Sequence, residues 1–232
     1  MTTSDHRLGL IFDVDGVLVD SYSAHFKSWQ QAAAEFGFTV SEDEFQQNFG
    51  RKSHETIVER WGDRLTPEQV SHFEHQKEAF YREIIRDDFP AMDGAAELID
   101  AWHAAGQLLA VASSGPPENV AIVLEQLGRR QKFQAVITGV DVTRGKPDPQ
   151  VFLLAGQGLH LPSDRCTVVE DAPAGVAAAK AAGMLAIGLV STGHTWESLH
   201  QADHRVGSLR ELSPQRIIEF GGWPSQAVQS QK

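Results

Sequence analysis

The fold is decided by residues 8–21, which read LGLIFDVDGVLVDS. This stretch begins with a strand-length apolar run, Leu8–Phe12, and continues into a polar loop that starts at Asp13. An apolar run without polar alternation is typical of a strand whose two faces are both covered. No second strand pattern follows nearby, so we expect this strand to join a sheet whose other strands come much later in the chain.

The residues that follow, 21–88, carry a helical pattern throughout. Ser41 with Glu44 matches a capping box, and Thr66-Pro67 is a strong helix start with proline at the first helical position. Ser53 is a candidate N-cap for a further helix. Since no strand pattern interrupts this stretch, it is predicted to be an all-helical insertion after the first strand.

A linker is predicted at 87–90, and beyond it strand and helix patterns alternate. The predicted strands are Leu108–Ser113, Ala135–Thr138, Thr167–Glu170 and Leu185–Val190. Repeated strand–helix units indicate a parallel sheet covered by helices, so the predicted fold class is α/β, with a Rossmann-like core and an inserted α-helical domain. The predicted core domain comprises 1–20 and 89–232, the helical domain comprises 21–88, and Gly221–Lys232 is expected to form a loose tail.

Composition restricts the classes of partner. The 232-residue chain carries 20 lysines and arginines against 31 aspartates and glutamates, a formal net charge of −11. Such a chain lacks the basic surplus that general nucleic-acid binding requires, although a small anionic substrate needs only local positive charge. No apolar stretch approaches the roughly 20 residues of a membrane-spanning helix. The single cysteine, Cys166, is typical of a reducing compartment, so we expect a cytoplasmic protein without a membrane partner.

Chemically active side chains follow the ends of the predicted strands, where ligands bind in open α/β sheets. They are Asp13, Asp15, Ser113, Glu170 and Asp171, together with Lys146 in a Gly/Pro-rich loop. Carboxylates can cluster only if a cation or shifted pKa values relieve their repulsion, and an all-oxygen cluster suits Mg²⁺. With a lysine and a serine to hold a tetrahedral anion, the pattern indicates phosphoryl transfer.

Four segments occur in an order that resembles one enzyme family. They are Asp13–Ser21, Ser113, Gly145-Lys146-Pro147 and Val168–Gly175, the last reading VVEDAPAG. They resemble the first to fourth motifs of the haloacid dehalogenase-like (HAD-like) hydrolase superfamily. The helical insertion is similar to the four-helix cap of the branch that holds phosphoglycolate-type phosphatases, sugar-phosphate phosphatases and β-phosphoglucomutase. The resemblance therefore implies a HAD-like core with an inserted cap.

The resemblance also implies a role for each motif residue. Asp13 would attack phosphorus and form an aspartyl-phosphate, and Asp15 would protonate the leaving oxygen and then activate water. The phosphoryl oxygens would be held by Ser113 and Lys146. The Mg²⁺ ligands would be Asp13, Asp15 through its backbone carbonyl, and Asp171, with Glu170 binding the ion directly or orienting those that do.

Further residues are candidates for substrate contact. In the core, Ser114 is one, and capping the following helix is its alternative role. In the helical insertion the resemblance implies His25, Gly50, Arg51, Lys52 and Lys77. A solvated basic turn at 50–54 and a surface charge at Lys77 are the alternative interpretations. The mutase pattern carries a lysine where we align Phe49 and an arginine where we align Ser53, so this chain departs from it at both positions.

The predicted function is Mg²⁺-dependent hydrolysis of a small-metabolite phosphomonoester, either a sugar phosphate or a short-acid phosphate. Asp15 favours phosphate esters over carbon–halogen bonds, because an alkoxide needs a proton to leave and a halide does not. A β-phosphoglucomutase-like hexose-phosphate mutase is the alternative, and the departures at Phe49 and Ser53 count against it. A catalytically inactive regulatory protein is a second alternative, against which the full motif set argues. A monomer or homodimer is expected.

Overall fold

The computed structural model describes residues 7–49, 51–191 and 193–224. The chain divides into two compact units, with the boundaries between Asp20 and Ser21 and between Pro90 and Ala91. We call the unit formed by Ser21–Pro90 the helical unit and the other the α/β unit. Within the described ranges, every helix is too short or too polar to cross a lipid bilayer.

The helical unit is held together by aromatic packing. Its described helices are α1 (Tyr22–Glu35), α2 (Glu42–Asn48), α3 (Ser53–Trp61) and α4 (Pro67–Asp87). The Phe73 ring lies 5.2 Å from the Trp61 ring and 5.8 Å from the Trp29 ring, measured between centroids. All three side chains are buried, so they contribute both apolar area and ring–ring contacts to this core.

Two predicted helix starts are confirmed. The N–H of Glu44 donates to Ser41 Oγ at 3.3 Å, and the N–H of Ser41 donates to Glu44 Oε2 at 2.8 Å. Thr66 and Gln69 form the same reciprocal pair, at 3.3 and 2.8 Å. Each capping box satisfies two N–H groups that the helix itself cannot pair, which fixes where α2 and α4 begin.

Two other predictions in the helical unit, the N-cap of α3 and the start of the linker after α4, need correction. Ser53 is not an N-cap, because Lys52 occupies that position and Ser53 is the first residue of α3. The Ser53 hydroxyl instead donates to Glu78 Oε1 at 2.9 Å. The predicted linker, 87–90, starts one residue too early, since Asp87 is still helical.

The α/β unit is built on parallel strands. They are β1 (Gly9–Phe12), β2 (Leu108–Ala112), β3 (Ala135–Ile137), β4 (Cys166–Glu170), β5 (Leu185–Leu189) and β6 (His204–Val206). They form a six-stranded sheet in the order β3-β2-β1-β4-β5-β6. The predicted α/β class with a parallel sheet is confirmed, and β6 is a strand that the sequence analysis missed.

The first strand is central in this sheet. All four residues of β1 are buried, and Phe12 lies opposite Val111 of β2 on one side and Val169 of β4 on the other. The N–H of Asp13 extends the ladder by donating to the carbonyl of Val169 at 3.0 Å. This backbone hydrogen bond holds Asp13 at the carboxyl end of the central strand.

Helices follow most of the strands of the α/β unit. Their bounds are α5 (Ala95–Ala104), α6 (Pro117–Gln126), α7 (Gln150–Gly158), α8 (Pro173–Ala181) and α9 (Pro214–Phe220). Pro116 occupies the N-cap position of α6, so Ser114 is not its cap. The helix α9 was not predicted from the sequence. The expected tail, Gly221–Lys232, starts too early, because Trp223 is still anchored: its indole N–H donates to the carbonyl of Asp164 at 3.1 Å. Residues 225–232 lie outside the described residues.

Candidate active site

A lysine that is mostly shielded from solvent joins two carboxylates at the carboxyl edge of the sheet. Lys146 comes from the loop before α7, Asp13 follows β1, and Glu170 ends β4. The Nζ atom of Lys146 donates to Asp13 Oδ1 and to Glu170 Oε1, at 2.6 Å in each case. Residues far apart in the sequence are thus brought together because parallel strands place their carboxyl ends at one edge.

Asp171 completes a group of three carboxylates. The potential ligand oxygens of Asp13, Glu170 and Asp171 all lie within 4.8 Å of one another, and all three residues are buried. Both oxygens of Glu170 accept hydrogen bonds, Oε1 from Lys146 and Oε2 from the N–H of Ala172 at 2.7 Å. Glu170 is consequently the most firmly positioned member of the group.

The carboxylate of Asp171 is fixed by a different set of neighbours. The hydroxyl of Ser191 donates to Asp171 Oδ2 at 2.7 Å. The second neighbour is Gly16, whose φ is +73°. A Cβ at Gly16 would lie 1.9 Å from Asp171 Oδ2, so only glycine leaves room for this carboxylate.

The cluster carries more negative charge than its lysine can balance. Burial raises the pKa of Asp13 to about 7; Lys146 opposes the shift, whereas Glu170 and Asp15 reinforce it. Burial and the neighbouring carboxylates Glu170 and Asp13 likewise hold the pKa of Asp171 well above its usual range. Burial alone would lower the pKa of Lys146, but the charges of Asp13 and Glu170 outweigh it and hold that pKa above its ordinary value.

The charges of this cluster determine whether a divalent cation fits the site. Three buried carboxylates face one ammonium group, and two of them have pKa values raised by mutual repulsion and burial. An additional cation would relieve that repulsion, and hard oxygen ligands are those that Mg²⁺ prefers. The residues present therefore fit a Mg²⁺ ion, with Asp13 and Asp171 as the side chains best suited to hold it.

The remaining core candidates lie at the same edge of the sheet. Ser113 follows β2, the neighbour of β1, and is only 2% exposed. Its hydroxyl oxygen accepts from the N–H of Gly115 at 3.0 Å, which orients the side chain. Asp15 is half-buried in the loop after β1, and the side chain of Ser114 is exposed.

In the helical unit, two candidates meet in a partly buried polar cluster. Lys77 is 4% exposed, so the interpretation as a surface charge is wrong. Its Nζ atom lies 3.1 Å from His25 Nδ1 and donates to Glu78 Oε1 at 2.8 Å. The same Glu78 oxygen accepts from Ser53, and the His25 ring stacks on Tyr81 with 4.0 Å between centroids.

The other helical-unit candidates do not join this cluster. Arg51 is exposed and pairs with Glu59 at 2.7 Å. Lys52 is exposed at the N-cap of α3. Gly50 lies outside the described residues. The structure thus brings His25 and Lys77 together and leaves Arg51 and Lys52 at the surface of the unit.

Two neighbours of the carboxylates, Ser191 and His194, were not predicted from the sequence. Ser191 follows β5 and contacts Asp171 directly. Burial lowers the pKa of His194 and the charge of Glu170 opposes that shift, so the neutral imidazole is favoured. Extending the search for polar residues to the end of the Leu185–Val190 strand would have found Ser191.

Comparison with known proteins agrees with this geometry. A family model described as haloacid dehalogenase-like hydrolase matches residues 9–183. Validoxylamine A 7'-phosphate phosphatase from Streptomyces hygroscopicus subsp. limoneus is 31% identical over 209 residues, which cover 87% of this chain and 94% of that protein. Beta-phosphoglucomutase from Bacillus subtilis is 29% identical over 187 residues, covering 78% of this chain and 82% of that one.

A solved structure shows the same fold. The crystal structure of beta-phosphoglucomutase from Clostridium difficile matches with a TM-score of 0.82 and 24% identity, covering 93% of this chain and 97% of that one. The family model spans most of the chain, and the parallel sheet carries the acidic cluster at the end of its central strands. The chain therefore belongs to the haloacid dehalogenase-like hydrolase family.

Proposed function

We propose that the protein is a Mg²⁺-dependent phosphatase that hydrolyses a small-metabolite phosphomonoester, a sugar phosphate or a short-acid phosphate. The observation that carries the proposal is that Lys146 is hydrogen-bonded to both Asp13 and Glu170, with Asp171 beside these carboxylates. The lysine provides positive charge for a phosphoryl group, and the acidic cluster provides negative charge for a cation. The similar Streptomyces protein, which is named as a phosphatase of validoxylamine A 7'-phosphate, supports the same reaction class.

In the first half-reaction, an oxygen of Asp13 attacks phosphorus, and the bond between phosphorus and the ester oxygen breaks. Asp15 donates its proton to that oxygen, so the leaving group departs as an alcohol. The product on the enzyme is an aspartyl-phosphate, which divides a difficult displacement into two easier ones. Asp15 is left ionised and ready for the second step.

In the second half-reaction, Asp15 takes a proton from water as the water oxygen attacks phosphorus. The bond between phosphorus and the Asp13 oxygen breaks, inorganic phosphate leaves, and the Asp13 carboxylate is restored. Lys146 and the Ser113 hydroxyl hold the phosphoryl oxygens in both steps, and Lys146 also keeps Asp13 oriented. When bound, Mg²⁺ would neutralise negative charge on the transferring group, and Asp13, Asp171 and the backbone carbonyl of Asp15 would hold it.

We further propose that the helical unit, with the cluster around Lys77, acts as the cap that selects the substrate. Two of its positions favour a phosphatase over a mutase. Phe49 packs 5.1 Å from Tyr22 and 5.3 Å from Phe45 between ring centroids, and Ser53 is bonded to Glu78. Neither supplies the positive charge that the mutase pattern has there. The protein consequently lacks two of the positively charged side chains with which a mutase would bind the second phosphate of a bisphosphorylated sugar.

Phosphate release from a panel of sugar phosphates and short-acid phosphates, measured with Mg²⁺ and with EDTA, tests the proposal. We expect Mg²⁺-dependent release from at least one member. Isomerisation of a hexose phosphate with little free phosphate would instead indicate a mutase. Complete inactivity over the panel, in a protein that is folded, would indicate a regulatory protein on the same scaffold.

A further inference from the structure

We propose that Ser191 is a positioning residue that holds the carboxylate of Asp171 in the orientation that binds the divalent cation. The inference rests on the proposed function for the presence of that cation. Ser191 itself belongs to none of the four motif segments. It contributes a hydroxyl from the loop after β5.

The sheet brings the two side chains together. β5 pairs with β4 in parallel, with Glu170 opposite Gly188. Asp171 follows β4 directly, and Ser191 comes two residues after the end of β5. Their side chains meet at 2.7 Å between Ser191 Oγ and Asp171 Oδ2, a normal length for a hydroxyl donating to a carboxylate. The contact therefore links two neighbouring strand ends at the candidate site.

The loop after β1 packs against the same oxygen. A Cβ at Gly16 would meet Asp171 Oδ2 at 1.9 Å and Ser191 Oγ at 2.9 Å. The backbone of Gly16 thus packs directly against the hydrogen-bonded pair. The close packing of the Gly16 backbone and the hydrogen bond from Ser191 both restrict rotation of the Asp171 carboxylate, which lies beside Asp13 and Glu170.

The need for such a restraint follows from the charges around Asp171. The side chain is 4% exposed, so bulk water does little to orient it. Asp13 and Glu170 lie close by and repel it when all three are ionised. A donated hydrogen bond counteracts that repulsion at a fixed geometry. Outer partners of this kind typically change metal affinity by about 10–100-fold when they are removed.

The test is the dissociation constant for Mg²⁺, measured by titration calorimetry at pH 8 on full-length protein without substrate. Ser191→Ala removes the hydroxyl, and Ser191→Thr retains one. Ser198→Ala is the matched control, because that hydroxyl belongs to the same loop and donates to the carbonyl of Thr195. We expect Ser191→Ala to weaken Mg²⁺ binding at least about tenfold, and Ser191→Thr and Ser198→Ala to stay within about threefold of the wild type.

Urea unfolding without metal separates this effect from misfolding. We expect Ser191→Ala to remain folded, and the weaker Mg²⁺ binding of Ser191→Ala, rescued by Ser191→Thr, to support the positioning role. An unchanged Mg²⁺ affinity in Ser191→Ala, with the wild type binding normally, would overturn the inference and leave the proposed function intact. Absence of Mg²⁺ binding by the wild type would contradict both. Phosphate release by each variant then reports the consequence for turnover.

Discussion

The Nζ atom of Lys146 lies 2.6 Å from Oδ1 of Asp13, and each of the two side chains is only 10% exposed. This pair shows how a chain with a net charge of −11 can present positive charge to an anionic substrate. The lysine is supported by a second carboxylate, that of Glu170, at the same distance. Removal of the Lys146 ammonium group would leave the buried carboxylates of Asp13 and Glu170 without their nearest positive charge.

Lys146→Met is therefore expected to destabilise the metal-free protein, and more strongly at pH 8 than at pH 5. Breaking a buried ion pair costs about 3–5 kcal/mol when the remaining charge stays buried. Since the pKa of Asp13 is already raised to about 7, this carboxyl is protonated in the folded state at pH 5. A carboxyl group whose pKa is raised in the folded protein, as that of Asp13 is, stabilises the fold at low pH. This contribution is lost as the pH rises through the pKa of the folded protein. Urea unfolding at both pH values measures the difference.

Lys180→Met is the control for that comparison. Lys180 pairs with Asp203 and its side chain is 41% exposed, so solvent screens the interaction. We expect a loss of no more than about 1 kcal/mol. Equal losses for the two variants at pH 8 would show that Lys146 does not stabilise a buried charge.

Magnesium binding should weaken as the pH falls. The cation competes with a proton for Asp13, whose pKa is raised to about 7. At pH 6 about nine-tenths of these carboxyl groups would hold a proton, against about one-tenth at pH 8. We expect the dissociation constant for Mg²⁺, as measured by calorimetry, to be at least about tenfold larger at pH 6, because the raised pKa of Asp171 adds proton competition at a second ligand. The same constant at both pH values would contradict Asp13 as a ligand with a raised pKa.

Gly16→Ala should cost more stability than a comparable change elsewhere. Gly16 and Gly37 have nearly equal φ values, +73° and +71°, so alanine is strained at both by about 1–2 kcal/mol. Only at Gly16 would the added Cβ overlap another group, Asp171 Oδ2 at 1.9 Å, whereas nothing lies within 4 Å of a Cβ at Gly37. We expect Gly16→Ala to lower the free energy of unfolding by about 1–3 kcal/mol more than Gly37→Ala. Equal effects would mean that Asp171 moves aside without cost.

Asp15→Asn should affect substrates according to their leaving group. Asparagine cannot protonate the ester oxygen, so hydrolysis of an alkyl phosphate should fall at least about 100-fold in kcat/KM. An acidic phenol leaves without protonation, so kcat/KM for p-nitrophenyl phosphate should fall by less than about tenfold. Steady-state kinetics with both substrates measures the contrast. An equal decrease for both would argue against Asp15 as the general acid.

The fold could be predicted from the sequence where its signals are local. The capping boxes at Ser41 and Thr66 consist of residues three positions apart, so their pattern is visible in the sequence itself. The strand β1 could be assigned to a distant sheet because its apolar run lacked a nearby partner. The three-residue strand β6 and the seven-residue helix α9 were missed, since segments so short carry little periodicity.

The site was harder to predict where a side chain serves a distant partner. Ser53 was expected to cap its own helix, but its hydroxyl bonds to Glu78, which lies 25 residues away. Ser191 contacts Asp171 only because β4 and β5 are neighbours. Residue type and spacing identify acids and lysines that carry chemistry, whereas the partners that orient them depend on the packing of the whole sheet.

The most direct test of the proposed reaction is the rate of phosphate release by Asp13→Asn in the presence of Mg²⁺, on the best substrate of the panel. Asparagine preserves the shape of the side chain but replaces the carboxylate by a neutral amide, whose oxygen is a poor nucleophile, so the rate should fall by at least about 1,000-fold. Asp164→Asn, at an exposed position just before β4, should stay within about twofold of the wild type. Wild-type turnover by Asp13→Asn would contradict the assignment of Asp13 as the nucleophile.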